Sequence, residues 1–268
     1  MASRRRFYRK GLTVLLVSIL FPASAQLARA DAENVRAKRV QEIVKAHFFR
    51  PDRAACAGTC SLEETIAALD PHSRLITSGA PSLDFIRGLS SDTAPPEMAL
   101  GPEGQATLRI PSFGRRTGRE TLAALKTLPP ELTKVSVDLR GNRGGILESA
   151  LQIAGAFTPA GAPLVEIVER SGVRRFRSDD TPKLPPLPLE VLVDGRTASS
   201  AEVLAWLLRW YAGAKVVGSR TAGKGTVQEV YRVDPHTRLL LTVGVYRLPD
   251  GRTLDGIGVS PDRSEVSQ

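Results

Sequence analysis

The sequence predicts an α/β fold, and three features of its patterning carry that prediction. From Gln105 onward, short apolar runs trade places with segments whose apolar residues recur every three or four positions. Such an alternation marks strands of a sheet with helices packed against it. Ahead of it Asp31–Leu69 has helical spacing alone, and behind it Val227–Val233 and Arg238–Leu248 are β-rich. The 268 residues suit one or two domains with room for a sizeable core. With 42% hydrophobic and 24% charged residues, a mostly disordered chain is excluded.

Residues 1–30 read as a targeting segment. Five cations lie within Ser3–Lys10, the apolar run Leu12–Phe21 follows, and small residues come next at Ala23-Ser24-Ala25 and Ala28-Arg29-Ala30. This is the order of a secretory signal peptide, cleaved after Ala25 or Ala30. The apolar run is about ten residues, half of what a membrane helix needs. An uncleaved anchor is the alternative. Ser3-Arg4-Arg5-Arg6-Phe7 also resembles a twin-arginine export signal, which leaves the export route open. The protein is therefore expected to be exported, periplasmic or extracellular, and to meet a membrane only through that signal. The formal charge of +9 falls to +3 once the six cations of residues 1–30 are set aside, so no nucleic-acid partner is implied.

Residues 31–78 read as a helical N-terminal region. Val35, Val40, Ile43, Val44 and Phe48 share one helical face, Leu62–Leu69 repeats the pattern, and Pro51 and Gly58 separate the two. Cys56 and Cys60 fit neither the C-x-x-C redox spacing nor a zinc pattern; in an oxidising compartment a local disulfide and two free thiols are both open. Residues 79–104, with Gly79, Pro81, Pro95, Pro96, Gly101 and Pro102, read as an irregular linker.

Within residues 105–268 the expected order is strand Ala106–Ile110, helix Gly118–Leu128, strand Lys134–Leu139, helix Ile146–Phe157 and strand Leu164–Glu169. After the proline-rich Pro182–Pro188 come strand Leu189–Val193, helix Ser199–Tyr211 and strand Lys215–Val217, then the β-rich tail.

Metal and nucleotide chemistry find no foothold. His47, His72 and His236 stand outside any H-E-x-x-H or comparable ligand cluster, and no cofactor is implied. Gly218–Gly225 approaches a phosphate loop, but Gly225 takes the place of the magnesium-binding hydroxyl and a strand-like run follows where a helix is needed. Three other features remain. Strand Leu189–Val193 leads through Asp194-Gly195-Arg196-Thr197-Ala198 to Ser199-Ser200 at a helix start, where backbone N–H groups are free; plain helix capping would use the same serine. Asp138-Leu139-Arg140-Gly141-Asn142-Arg143-Gly144-Gly145 is a glycine-rich turn that could aim N–H groups at an anion or simply reverse the chain. Gly223-Lys224-Gly225 places a lysine in apolar surroundings.

Together with Thr226-Val227-Gln228, the closing Gly256–Asp262 and Leu69-Asp70-Pro71-His72-Ser73, these segments resemble the carboxyl-terminal processing (tail-specific) serine peptidases. The resemblance implies a crotonase-like (ClpP/crotonase) catalytic core over residues 105–268. It also implies roles: Ser199 as nucleophile, Lys224 as its base, Gln228 orienting the lysine, and the N–H groups of Gly145 and Ser200 as oxyanion hole. The family's S-A-S-A-S-E order is altered here to Ala198-Ser199-Ser200-Ala201, so Ser200 stays an alternative nucleophile. A serine needs a base to take its proton. An ordinary lysine, pKa about 10.4, is rarely neutral at pH 7, and lowering it by about three units costs roughly 4 kcal/mol, within reach of burial. Were 224–228 one extended strand, Lys224 and Gln228 would lie about 13 Å apart, so contact needs a bend, which Gly225 permits.

One family part is missing from the expected organisation. Residues 79–104 stand where a PDZ domain usually lies, and a domain needs at least about 50 residues. The expected function is an exported serine endopeptidase acting on protein or peptide substrates through an acyl-enzyme, with a separate docking protein as a possible partner. The alternatives are a catalytically silent peptide-binding scaffold of the same fold and a small-substrate Ser/Lys amidase or esterase.

Overall fold

A computed structural model describes residues 23–50, 52, 60–77, 94–179, 186 and 188–264, with side chains from residue 30 onward. Residues 1–22, most of the expected linker, and Cys56 lie outside them. The elements, in order, are α1 (Ala23–His47), α2 (Leu62–Ala67), β1 (Arg74–Thr77), β2 (Glu97–Leu100), β3 (Gln105–Arg109), α3 (Thr117–Lys126), β4 (Lys134–Asp138) and α4 (Leu147–Gly155). There follow β5 (Pro163–Glu169), β6 (Gly172–Arg177), β7 (Leu189–Val193), α5 (Ser200–Ala212), β8 (Lys215–Gly218), β9 (Thr226–Arg232) and β10 (Thr237–Arg247).

One sheet has the order β2-β3-β4-β7-β8. Three of its four pairings explain the helices: β3, β4, β7 and β8 run parallel, and parallel neighbours need crossovers. Helix α3 lies between β3 and β4, α4 follows β4, and α5 connects β7 to β8. Strand β4 is buried at Val135, Ser136, Val137 and Asp138, as expected of a parallel strand covered on both faces. The core runs through Leu108, Ile110, Val137, Ile153, Val191, Leu204 and Leu208.

The second sheet is antiparallel and is organised by β10. Strand β9 lines one edge of β10, from Arg232 opposite Arg238 to Thr226 opposite Val245. The other edge is divided: β1 pairs with Thr237–Leu240 and β5 with Gly244–Arg247. Val40, Ile43, Val44 and Phe48 of α1 form a second core with Leu239 and Leu241 of β10. Every one of these contacts lies beyond Ala30, so removal of residues up to Ala25 or Ala30 would leave this packing whole. Among the described residues no helix is long and apolar enough to cross a membrane.

Several elements depart from expectation. Arg74–Thr77, within the expected helical region, is strand β1, and Glu97–Leu100, within the expected irregular stretch, is strand β2 against β3. Both are four residues long and owe their conformation to a partner rather than to propensity. Gly172–Arg177 is a further strand, the return half of a hairpin with β5. Val35, expected on the buried face of α1, is 70% exposed. Cys60 is disulfide-bonded, which settles its state in favour of the bridge.

Leu204 on α5 is fully buried in the main core. Leu204→Ala should therefore cost about 2–5 kcal/mol through lost burial and the remaining cavity, read as a lower urea midpoint at unchanged slope.

Candidate active site

Strands β4, β7 and β8 are neighbours, and the three segments singled out by sequence each follow the C-terminal end of one of them. That edge of an open parallel sheet is where such folds gather ligands and chemistry. After β4, the buried Asn142 shapes the glycine turn. Its side-chain amide donates to the Ile110 carbonyl at 2.8 Å, its side-chain oxygen accepts from the Gly144 N–H at 2.8 Å, and its own carbonyl accepts from the Ala198 N–H at 2.9 Å. Gly144 and Gly145 must be glycine. Both have positive φ, 96° and 145°, and a Cβ on Gly144 would lie 2.9 Å from the Ser199 Cβ while one on Gly145 would lie 2.2 Å from the Phe113 carbonyl oxygen.

After β7, Asp194 gathers the turn that delivers Ser199. One of its oxygens accepts from the N–H groups of Gly141, Arg196 and Thr197 at 2.9–3.0 Å. Ser199 itself adopts φ 59° and ψ −127°, a conformation that costs a side-chain-bearing residue about 1–3 kcal/mol and persists only where surroundings enforce it. A sharp strand-to-helix turn of this kind presents a serine hydroxyl outward. Ser199 is partly exposed, whereas Ser200 is fully buried with its hydroxyl turned to the Gly145 carbonyl at 3.4 Å.

Glu202, completely buried one turn into α5, joins this segment to the loop after β8. Its carboxylate accepts from the Ser199 N–H at 2.8 Å, the Gly223 N–H at 2.8 Å, the Lys224 N–H at 2.9 Å and the Thr221 hydroxyl. The loop is braced from its far side by the closing segment: the Gly256 N–H donates to the Gly223 carbonyl, and the Val259 N–H to the Thr221 hydroxyl. Asp262 fixes that segment through the Val216 N–H and Arg209.

Gly145, Ser199, Lys224 and Gln228 line one cavity of about 290 Å³, together with Tyr246, Glu148 and Arg174. Lys224 precedes β9, so 224–228 is not one extended run and both side chains reach the same cavity. Burial holds the Lys224 ammonium below the usual lysine range, the Arg74 guanidinium pushes it lower still, and the Glu202 carboxylate opposes both. Among the described residues its Nζ makes no ion pair or hydrogen bond. Gln228 donates to Thr226 Oγ1 at 2.7 Å and, more distantly, to Thr242 Oγ1 at 3.5 Å, rather than to Lys224. Thr242 is in turn tied to the Asp70 turn, donating its hydroxyl to Asp70 and its N–H to Ser73. Among the described residues, the N–H groups of Gly145 and Ser200 donate to no other protein group.

Sequence reasoning missed Tyr246, which lines the same cavity as Ser199. Burial pushes its pKa up to about 12, with the neighbouring Ser199 acting in the opposite direction. Nothing in the local sequence around Tyr246 signals this, because its place depends on the register of β10. The role of Glu202 was within reach: Ser199-x-x-Glu202 is the spacing at which an acid returns to a helix N-terminus. Arg74 was hidden in a segment expected to be helical.

The family model described as Peptidase family S41 matches residues 104–264. A carboxy-terminal-processing protease of Bartonella bacilliformis is 33% identical over 165 residues, 58% of this chain and 37% of that protein. The carboxy-terminal processing protease CtpA of Bacillus subtilis is 28% identical over 188 residues, 69% of this chain and 40% of that protein. The chain thus spans about two fifths of the length of these relatives. Among solved structures, the photosystem II D1 C-terminal processing protease superposes with a TM-score of 0.54 at 26% identity, over 72% of this chain and 48% of that one. A lipoprotein from Streptococcus agalactiae gives 0.65 at 18% identity over 94% and 95% of the two chains, a likeness of fold alone. The α/β core is of the ClpP/crotonase type.

Glu202→Gln replaces one accepting oxygen with an NH₂ that faces N–H donors. It should cost about 3 kcal/mol, measured by urea denaturation, and should loosen Ser199 and Lys224 together.

Proposed function

Because the chain belongs to peptidase family S41, we propose that it is an exported serine endopeptidase that cleaves protein or peptide substrates through an acyl-enzyme. The observation that carries the reading is the shared cavity of Ser199, Lys224 and Gly145 at the ends of three adjacent parallel strands. Ser199 is the nucleophile in this reading, favoured over Ser200 by its exposure and its enforced backbone. Its Oγ attacks the substrate carbonyl carbon while its proton passes to the neutral Nζ of Lys224. The carbonyl oxygen becomes negative and is received by the N–H groups of Gly145 and Ser200, which have no competing acceptor among the described residues; one such donor is worth about 3 kcal/mol. Collapse expels the amine, which takes the proton back from Lys224, and leaves the acyl ester on Ser199. Water, deprotonated by the same lysine, then releases the acid and restores the serine.

The absence of a Ser199–Lys224 hydrogen bond fits a site awaiting substrate, since catalytic contacts often tighten only in the complex. Gln228 shapes the cavity wall next to the amine through Thr226 and Thr242. In this reading residues 1–30 direct export and are removed, residues 31–78 support the core, residues 105–268 are catalytic, and substrate docking falls to the core itself or to a separate protein.

A fluorophosphonate probe should label the protein, and Ser199→Ala should abolish both labelling and cleavage in a peptide-library digest; labelling that persists would refute the nucleophile. Lys224→Ala should lower kcat/KM by about 10²- to 10⁴-fold. The working base is the neutral amine, so activity is present above the Lys224 pKa and lost as pH falls through it. Arg74→Gln removes a positive neighbour that favours the neutral form. The rising limb of the pH–rate profile should therefore move to higher pH in that variant, and an unmoved limb would dismiss either the base or its neighbour.

A further inference from the structure

The catalytic cavity does not end at Lys224. His72, Arg74, Arg143, Lys224 and Thr226 also line a larger groove, of about 970 Å³, that continues from it towards Phe49 and Arg50. Four arginines face this groove: Arg50, Arg74, Arg143 and Arg196. Arg196 leans on Asp194 at 3.4 Å. The other three, among the described residues, take part in no ion pair or side-chain hydrogen bond. Arg209, Arg247 and Arg263 show the contrast, each holding a carboxylate within 2.6 Å.

The acids of the groove do not neutralise it. Asp70 is occupied by the N–H groups of His72 and Ser73, at 2.8 and 3.0 Å, and by the Thr242 hydroxyl at 3.1 Å. Asp70 and Asp255, the latter on the wall beside Gly225, are thus two carboxylates against three guanidinium groups that are unpaired among the described residues. A concave surface with one dominant sign of charge focuses its potential and draws oppositely charged chains into it. Guanidinium is the group best shaped for carboxylates, which it grips with two parallel hydrogen bonds.

We propose that this groove is a substrate subsite for a polypeptide segment bearing carboxylates, held by Arg50, Arg74 and Arg143 while the adjoining peptide bond enters the Ser199 cavity. The assignment rests on reading that cavity as the cleavage site. The carboxylates are those of Asp or Glu side chains; a chain-terminal carboxylate has the same chemistry and is separated by the test.

The test is a binding measurement on the Ser199→Ala protein, in which nothing turns over. Fluorescein-labelled peptides of one length, rich either in Glu or in Gln, are each made as the free acid and as the C-terminal amide, and followed by fluorescence anisotropy. The Glu peptide should bind at least about tenfold tighter than the Gln peptide in both end forms, a preference that shrinks as salt rises. Arg50→Gln with Arg143→Gln should erase most of it, and Arg50→Lys with Arg143→Lys, which keeps the charge, should retain most of it. Arg74 is left in place because its charge also acts on Lys224. A preference for the free acid regardless of Glu content keeps the subsite and assigns it to a chain end. Equal binding of Glu and Gln peptides with no preference for the free acid, or a preference untouched by the Gln substitutions, overturns the proposal. Neither result bears on Ser199 as nucleophile, which the fluorophosphonate label reads independently.

Discussion

A single carboxylate, that of Glu202, receives the N–H of Ser199 on one side and those of Gly223 and Lys224 on the other. The two chain segments arrive from different strands, with no covalent link shorter than the whole of α5 and β8. Burying a carboxylate is expensive, and only a full set of donors offsets the loss of water. Here the donors are the backbone of the two segments themselves. The carboxylate therefore cannot be satisfied unless those segments are in place, and the same bond holds the Ser199 N–H while that residue keeps its unfavourable φ. The same oxygens lie close enough to Lys224 to hinder loss of its proton, so the depressed lysine pKa is a balance in which burial and Arg74 prevail.

The parallel sheet and the antiparallel sheet divide the work. The first supplies strand ends, each followed by a turn that projects backbone N–H groups or a side chain. The second, through β9 and β10, supplies the opposing wall, with Thr226, Gln228 and Tyr246 facing the serine and lysine. Arg74 comes from β1, whose one partner strand among the described residues is β10. The basic groove thus joins residues brought together by β10 to residues placed by β4 and β7.

What was legible in the sequence was whatever is encoded locally. Glycine pairs, a strand running into a serine, and a lysine between glycines each sit at the end of a parallel strand, where short-range patterning fixes the turn. The helices α3, α4 and α5 announced themselves by apolar spacing. Strands β1 and β2 did not, since four residues carry too little period and their partners lie far along the chain. Tyr246 and Arg74 were hidden for the same reason. Each acquires its place through the register of a long-range pairing, and no nearby residue predicts that register. Val35 misled because it keeps the helical spacing of α1, while the packed face of that helix among the described residues begins only at Val40.

Strand β10 gives the molecule an unusual economy of support. Its first residues lie under α1 and beside β1, its middle is latched to the Asp70 turn through Thr242, and its last residues carry Tyr246 to the serine. An eleven-residue strand bonded along both edges transmits displacement with little give. The amino-terminal helix, though it lines neither Ser199 nor Lys224, is thereby a foundation of the wall that faces them, since it rests on the same beam that carries Tyr246 into the cavity.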